Sequence, residues 1–269
     1  VDLSRLLPIM MNPNTPTSAT AHGAHGDRSP CWSIASPAVA TFPAAPAGPV
    51  DATAYLRSVE DVYAQDAYHS LSIEGYSVTP EIIQRVREGR WSPDLNEADR
   101  ASRDALAARG YWLAFQEVKS AVARILADPA SAAAVVETGH RDWYRALFQP
   151  AVTAGLLGAA ELAGYRRHPV YIPNSHHVPP RSETLSNAMA TLFHLIAEEQ
   201  EPAVRAVLGH WLLGYIHPFP DGNGRVARFL MNGLLAAGGY PWTVIRAEDR
   251  DPYMDALEQA STARDVAPF

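Results

Sequence analysis

The feature that most constrains this chain is a short polar stretch set between two apolar ones. Residues 217–228 read HPFPDGNGRVAR, with a histidine, an aspartate, two glycines around an asparagine and two arginines in twelve positions. Upstream, residues 204–216 (VRAVLGHWLLGYI) are apolar at helical spacing. Downstream, residues 226–237 (VARFLMNGLLAA) repeat that character and stop at Gly238-Gly239. The pattern predicts a loop joining two mostly buried helices, with its charges gathered at the junction.

That placement dictates chemistry. Gly222, Asn223 and Gly224 allow a tight turn whose backbone N–H groups point the same way. The turn runs into a helix N-terminus, where unpaired N–H groups and the helix dipole favour an anion. Arg225 and Arg228 lie on one face of the first turn, and two guanidinium forks beside such a nest suit a di- or triphosphate. Asp221 is a hard oxygen ligand suited to Mg²⁺, which binds one or two carboxylates together with substrate phosphates. His217 ends the preceding helix, and an ordinary imidazole pKa of about 6.5 suits a general base at neutral pH.

HPFPDGNGRVAR resembles the signature of the Fic family, H-x-F-x-[D/E]-G-N-G-R-x-x-R, with every fixed position matched. Similarity to the family extends from about residue 51 to about residue 260. The resemblance implies a mainly α Fic fold, a helical bundle with a short β-hairpin flap. It also implies transfer of AMP from MgATP to a hydroxyl side chain of a target protein, the chain itself included, with removal of AMP from the target as an open second activity. His217 would take the hydroxyl proton, and Asp221 would hold Mg²⁺. Gly222, Asn223, Gly224, Arg225 and Arg228 would bind the phosphates. Asn232 and Tyr253 sit where family members line or support the nucleoside side of the pocket.

Residues 51–74 read as a helix, with Gly75 placed as its left-handed C-cap. Glu74 is then a carboxylate at a helix C-terminus, where the dipole disfavours it and a cationic partner is expected. Ser70, Glu74 and Gly75 resemble the family's inhibitory motif [S/T]-x-x-x-E-[G/N]. In the family that glutamate pairs with the second signature arginine, here Arg228.

The remainder divides into helices. Thr79-Pro80 starts one that Gly89 ends, residues 96–128 form a long core helix, and residues 131–148 form another stopped by Pro150. His140 and Trp143 read as packing residues. Residues 164–180 (GYRRHPVYIPNSHHVPP) change character: Val170-Tyr171-Ile172 is β-prone and Pro173-Asn174-Ser175 is turn chemistry, so a short hairpin is expected. By resemblance it is the flap that pairs with the target's main chain, with Ile172 and Val178 as apolar clamps. His168, His176 and His177 lie close in sequence without metal-ligand spacing. Residues 180–197 are amphipathic, Pro202 starts the helix into His217, and residues 251–262 form a last helix.

Composition sets the outer limits. The 269 residues are 47% hydrophobic, enough to bury a sizeable core. A net charge of −7 gives no basic footprint for nucleic acid. One cysteine, Cys31, excludes an intramolecular disulfide and fits a reducing, cytoplasmic location. No run reaches the ~18 apolar residues of a membrane span. Residues 1–50, rich in Pro, Ala, Ser and Thr, are expected to be disordered or loosely docked. Residues 51–130 would form an N-terminal helical region carrying the inhibitory motif, and 131–269 the catalytic core. An oligomer is compatible with this reading. Two rivals to adenylyl transfer are a different phosphate-containing group moved by the same loop, and a non-catalytic nucleotide-binding interaction module.

Overall fold

The computed structural model describes residues 42–46, 48, 50–91 and 102–269. Most of the segment expected to be disordered, with Trp32 and Ile34, lies outside the described residues. So do residues 96–101 of the expected long helix. Among the described residues the fold is helical, with no strand.

The first helix, α1 (Ala52–Ile73), starts where Asp51 accepts the N–H groups of Thr53 and Ala54 at 2.9 and 3.0 Å. Such a cap is worth about 1 kcal/mol. Helix α2 (Pro80–Arg87) begins with Pro80 after the Thr79 cap, as expected. Helix α3 (Arg103–Ala127) is capped by Ser102, and α4 (Ala132–Thr153) follows after a 3-10 turn. The two pack as a hairpin at very short range. A Cβ on Gly110 would lie 1.8 Å from the Leu147 carbonyl oxygen, so only glycine permits this contact. Helix α1 lies on α3, with the Tyr63 ring edge-on to Trp112 and Phe115 at 4.7 and 4.9 Å.

Pro150 does not end α4. It is buried within the helix, which runs one turn further and closes with Ala154 N–H on the Pro150 carbonyl at 2.9 Å. Proline removes one donor and crowds the preceding turn, but its own carbonyl still accepts. So close to the C-terminus, packing outweighs that local cost.

Helix α5 (Leu185–Glu198) leads to α6 (Pro202–Ile216), and the signature loop joins α6 to α7 (Asn223–Ala237). A Cβ on Gly209 would meet Leu230 Cδ2 at 2.3 Å and Leu234 Cδ1 at 2.7 Å. The two helices flanking the loop are thereby pressed together. Helix α7 is the centre of the core: Gly233 sits against Val136 of α4 and Ile125 of α3, and Phe229 packs on Tyr111. The last helix, α8 (Arg250–Glu258), continues into a π-helical turn, Gln259–Ala263.

The expected hairpin is a turn without a ladder. Ser175 N–H donates to Ile172 O at 3.2 Å around Asn174, whose φ is +61°, but the flanking residues do not pair as strands. Pro173, Pro179 and Pro180 lack the donors a ladder needs. The segment is held by side chains instead. Ser175 Oγ donates to Glu258 Oε2 and His176 N–H to Glu258 Oε1, at 2.5 and 2.8 Å.

Candidate active site

The loop is shaped from within. Asn223 is buried, and its side chain closes the turn on Phe219: Oδ1 accepts the Phe219 N–H at 2.9 Å and Nδ2 donates to the Phe219 carbonyl at 2.8 Å. The Phe219 ring stacks on Tyr144 at 4.0 Å with 8° between planes. Gly222 takes φ +79°, which L residues with a side chain rarely adopt. It precedes α7 and offers no side-chain cap. The first N–H groups of α7 therefore face the loop without a capping partner, as an anion nest requires.

Two buried arginines surround this helix start. Arg225, 1% exposed, lies between the rings of Tyr76 and Phe148, its guanidinium carbon 5.2 and 5.1 Å from their centroids. Its Nη2 donates to Asp221 Oδ2 at 3.2 Å, and its Nε has no hydrogen-bond partner among the described residues. Arg228 donates from Nε to Ser70 Oγ at 2.9 Å, and from Nη2 to Ser70 O at 3.1 Å and Glu74 Oε1 at 2.7 Å. Its Nη1 is buried and has no hydrogen-bond partner among the described residues. Burial works against the Arg228 charge, but the Glu74 carboxylate more than offsets it and holds the pKa above the usual arginine value, so the guanidinium is a fixed cation. Buried N–H groups without acceptors cost about 1–3 kcal/mol each, a cost that a bound anion would remove.

Glu74 lies directly over the nest. A Cβ on Gly224 would sit 2.4 Å from Glu74 Oε1, so the carboxylate occupies the space above the first turn of α7. Gly75, with φ +81°, ends α1 as expected. Asp221 accepts the Gly222 N–H on Oδ1 at 2.6 Å, and its side chain is 58% exposed. Among the described residues no three His, Cys, Asp or Glu side chains form a metal cluster. The donor set therefore fits Mg²⁺ in one way: a single accessible carboxylate supplemented by substrate phosphate oxygens and water.

His217 ends α6 in the left-handed conformation, φ 51° and ψ 58°. Its Nδ1 lies 3.3 Å from the Gly214 carbonyl, which can only accept. The neutral ring thus carries its proton on Nδ1 and presents Nε2 as a base. Burial lowers the His217 pKa; Arg166 and His177 add to the decrease, while the Gly214 carbonyl and Glu74 oppose it.

The expected site residues do not all point into the loop. The Asn223 side chain is turned inward, leaving only its backbone to the nest. Asn232 has its amide engaged elsewhere: Nδ2 donates to Arg228 O and Thr243 O at 3.1 and 3.0 Å, and Oδ1 accepts Thr243 N–H at 2.7 Å. It ties α7 to the following segment and has no free donor for a nucleotide. Tyr253 OH pairs with His210 Nε2 at 2.8 Å, and its pKa is raised by burial with the Arg228 charge opposing. Ile172 is half-buried and Val178 is 64% exposed, both on the segment that wraps the end of α6.

Several groups escape sequence reasoning. Tyr76 and Phe148 sandwich Arg225. Asp66, one turn before Ser70, accepts the Tyr111 hydroxyl at 2.6 Å, and burial lifts its pKa to about 6. Arg166 is buried behind His217 and donates from Nε to its carbonyl at 2.7 Å. None belongs to a spaced motif. The one available signal was the adjacent pair Arg166-Arg167 in an otherwise β-prone loop.

Residues 135–235 match the Fic/DOC family. A protein adenylyltransferase Fic of Nematostella vectensis is 29% identical over 229 residues, covering 79% of this chain and 46% of the relative. One of Drosophila mojavensis is 30% identical over 221 residues, covering 81% and 40%. The chain thus spans less than half the length of these curated relatives. Among solved structures, Fic-1 (residues 134–508) of C. elegans superposes with a TM-score of 0.61 at 20% identity, over 81% of this chain and 67% of that one. A Fic domain-containing signalling protein of Bacteroides thetaiotaomicron gives 0.55 at 22%, over 79% and 76%. The class defined by fold and loop is the Fic fold. The chain carries a domain of the Fic/DOC family.

Proposed function

We propose that the chain is a protein adenylyltransferase, moving AMP from ATP to a hydroxyl side chain of a target protein or of itself. The observation that carries this reading is the pair of buried, unpartnered guanidinium N–H groups, Arg225 Nε and Arg228 Nη1, beside an uncapped helix start. Such a cradle suits a polyphosphate tail. The curated relatives are named adenylyltransferases, which supports the same chemistry.

His217 Nε2 takes the proton of the incoming hydroxyl. The hydroxyl oxygen bonds to the α-phosphorus, the bond from that phosphorus to the bridging oxygen breaks, and pyrophosphate leaves. Arg225, Arg228 and the N–H groups of Asn223 and Gly224, aimed by the left-handed turn at Gly222, stabilise charge as it develops on the phosphates. Asp221 would hold Mg²⁺, which supplies charge neutralisation at the phosphates. Residues 131–269 form the catalytic core in this reading, and 51–130 bear the control element. Glu74 occupies Arg228 and the space over Gly224, holding the site off. Ile172 and Val178 dock the target segment, and Tyr253 supports the nucleoside side through its place beside Arg228.

ATP labelled at the α- or the γ-phosphate tests the reaction in the Glu74→Gly variant. Adenylyl transfer labels protein from the α position only. Label from the γ position would identify phosphoryl transfer, and binding without label a non-catalytic module; either result refutes the proposal.

A further inference from the structure

Arg166 is 5% exposed; burial lowers its pKa and the charge of Glu183 opposes that lowering. Four backbone carbonyls satisfy its guanidinium. Nε donates to His217 O at 2.7 Å, Nη1 to His168 O at 3.1 Å, and Nη2 to Pro180 O and, at 3.5 Å, to Ile216 O. Its own N–H donates to Pro218 O at 2.8 Å.

These acceptors are not a random set. Ile216 and His217 carry the last carbonyls of α6, which lack helical partners and lie at the negative end of the dipole. His168 and Pro180 are the two feet of the segment bearing Ile172 and Val178. One planar fork therefore caps α6, closes the base of that segment and joins the two. His217 needs such a hold, because a non-glycine residue in the left-handed region persists only where its surroundings fix it. His177 adds a second tie, Nε2–H donating to Tyr215 O at 2.8 Å.

We propose that Arg166 is a positioning residue for His217: its fork fixes the backbone that carries the imidazole. This rests on the reading of His217 as the base. The charged and titratable groups acting on His217 are Arg166, His177 and Glu74. Arg166 and His177 disfavour the imidazolium, and Glu74 favours it.

The test separates charge from fork. Histidine-labelled protein is titrated by NMR as wild type, Arg166→Gln and Arg166→Lys, with His217→Ala assigning the resonance. Transfer is measured in the Glu74→Gly background. Arg166→Gln raises the His217 midpoint. Arg166→Lys retains the wild-type midpoint, since a point charge remains. Its kcat falls about 10-fold with KM for ATP unchanged, because an ammonium cannot reproduce the planar fork. A merely structural arginine would change thermal stability and leave the midpoint unmoved. An unshifted midpoint in Arg166→Gln, or wild-type turnover in Arg166→Lys, overturns the proposal. If Arg166→Gln does not fold, the Arg166→Lys turnover decides. If no variant transfers AMP, the proposed activity fails, while the titration still decides the charge role of Arg166.

Discussion

Glu74 Oε1 lies 2.4 Å from where a Cβ on Gly224 would stand, while accepting Arg228 Nη2 at 2.7 Å. Glycine at 224 and the ion pair are therefore coupled. In wild type, Gly224→Ala displaces the carboxylate and leaves Arg228 short of an acceptor, costing about 1–3 kcal/mol. In the Glu74→Gly background the pair is already absent, and alanine in a helix is favoured by about 0.5–1 kcal/mol. A double-mutant cycle by urea denaturation should show this coupling; additive changes would mean that the two sites are independent.

His217→Ala should lower AMP transfer by about 10²–10⁴-fold, with ATP binding retained in calorimetry. The acid limb of the wild-type pH profile should lie below the usual histidine value, because burial lowers the His217 pKa. The base is then neutral and competent through pH 7. Glu74 opposes that lowering, so Glu74→Gly should move the limb further down. A limb above ~6.5 would contradict the electrostatics.

Asp221→Ala should leave a low residual transfer that no longer responds to Mg²⁺. Asp221 is the loop's one carboxylate and is accessible, with 58% of its side chain exposed. A Mg²⁺ titration of the variant that superposes on wild type would place the metal elsewhere.

Acid should destabilise the fold through buried histidines. Desolvation pushes His140 down to about 4 and His210 to about 3. The unfolded chain then binds protons that the folded one does not. Their contribution is complete above ~6.5 and is lost as pH falls toward the folded values. Asp66 works in the opposite sense: raised to about 6, it holds a proton in the folded state between about 3.8 and 6 and favours folding there. His140→Gln should reduce the slope of stability against pH between 6 and 4 by about 1.4 kcal/mol per pH unit. An unchanged slope would mean that His140 is protonated in the fold.

The site was legible where its chemistry is contiguous. Twelve successive residues carry the histidine, the acid, the nest and both arginines, and helix periodicity on each side places them at a junction. Ser70, Glu74 and Gly75 were legible through helix-end electrostatics and spacing. Arg166, Tyr76 and Phe148 were not, since their contacts join residues far apart in the chain and leave no periodic trace. Asn223 and Asn232 show the converse: residue type announced polar chemistry, and tertiary structure directed it inward. Pro150 and the ladderless turn at 172–175 mark places where packing and side-chain anchors override local propensity.

The central claim is that Glu74 holds Arg228 away from a nucleotide. An intramolecular pair competes with the γ-phosphate without the translational cost that ATP must meet. Releasing it frees Arg228 to align the triphosphate, where small misplacements are costly. The most direct measurement is AMP incorporation from α-labelled ATP, read by autoradiography and intact-mass spectrometry, in wild type, Glu74→Gly and Glu74→Gly/Arg228→Ala. The account predicts a rise in Glu74→Gly, onto a target or the chain itself, and its loss when Arg228→Ala is added. Incorporation by Glu74→Gly no higher than wild type, or a gain that survives Arg228→Ala, would contradict it.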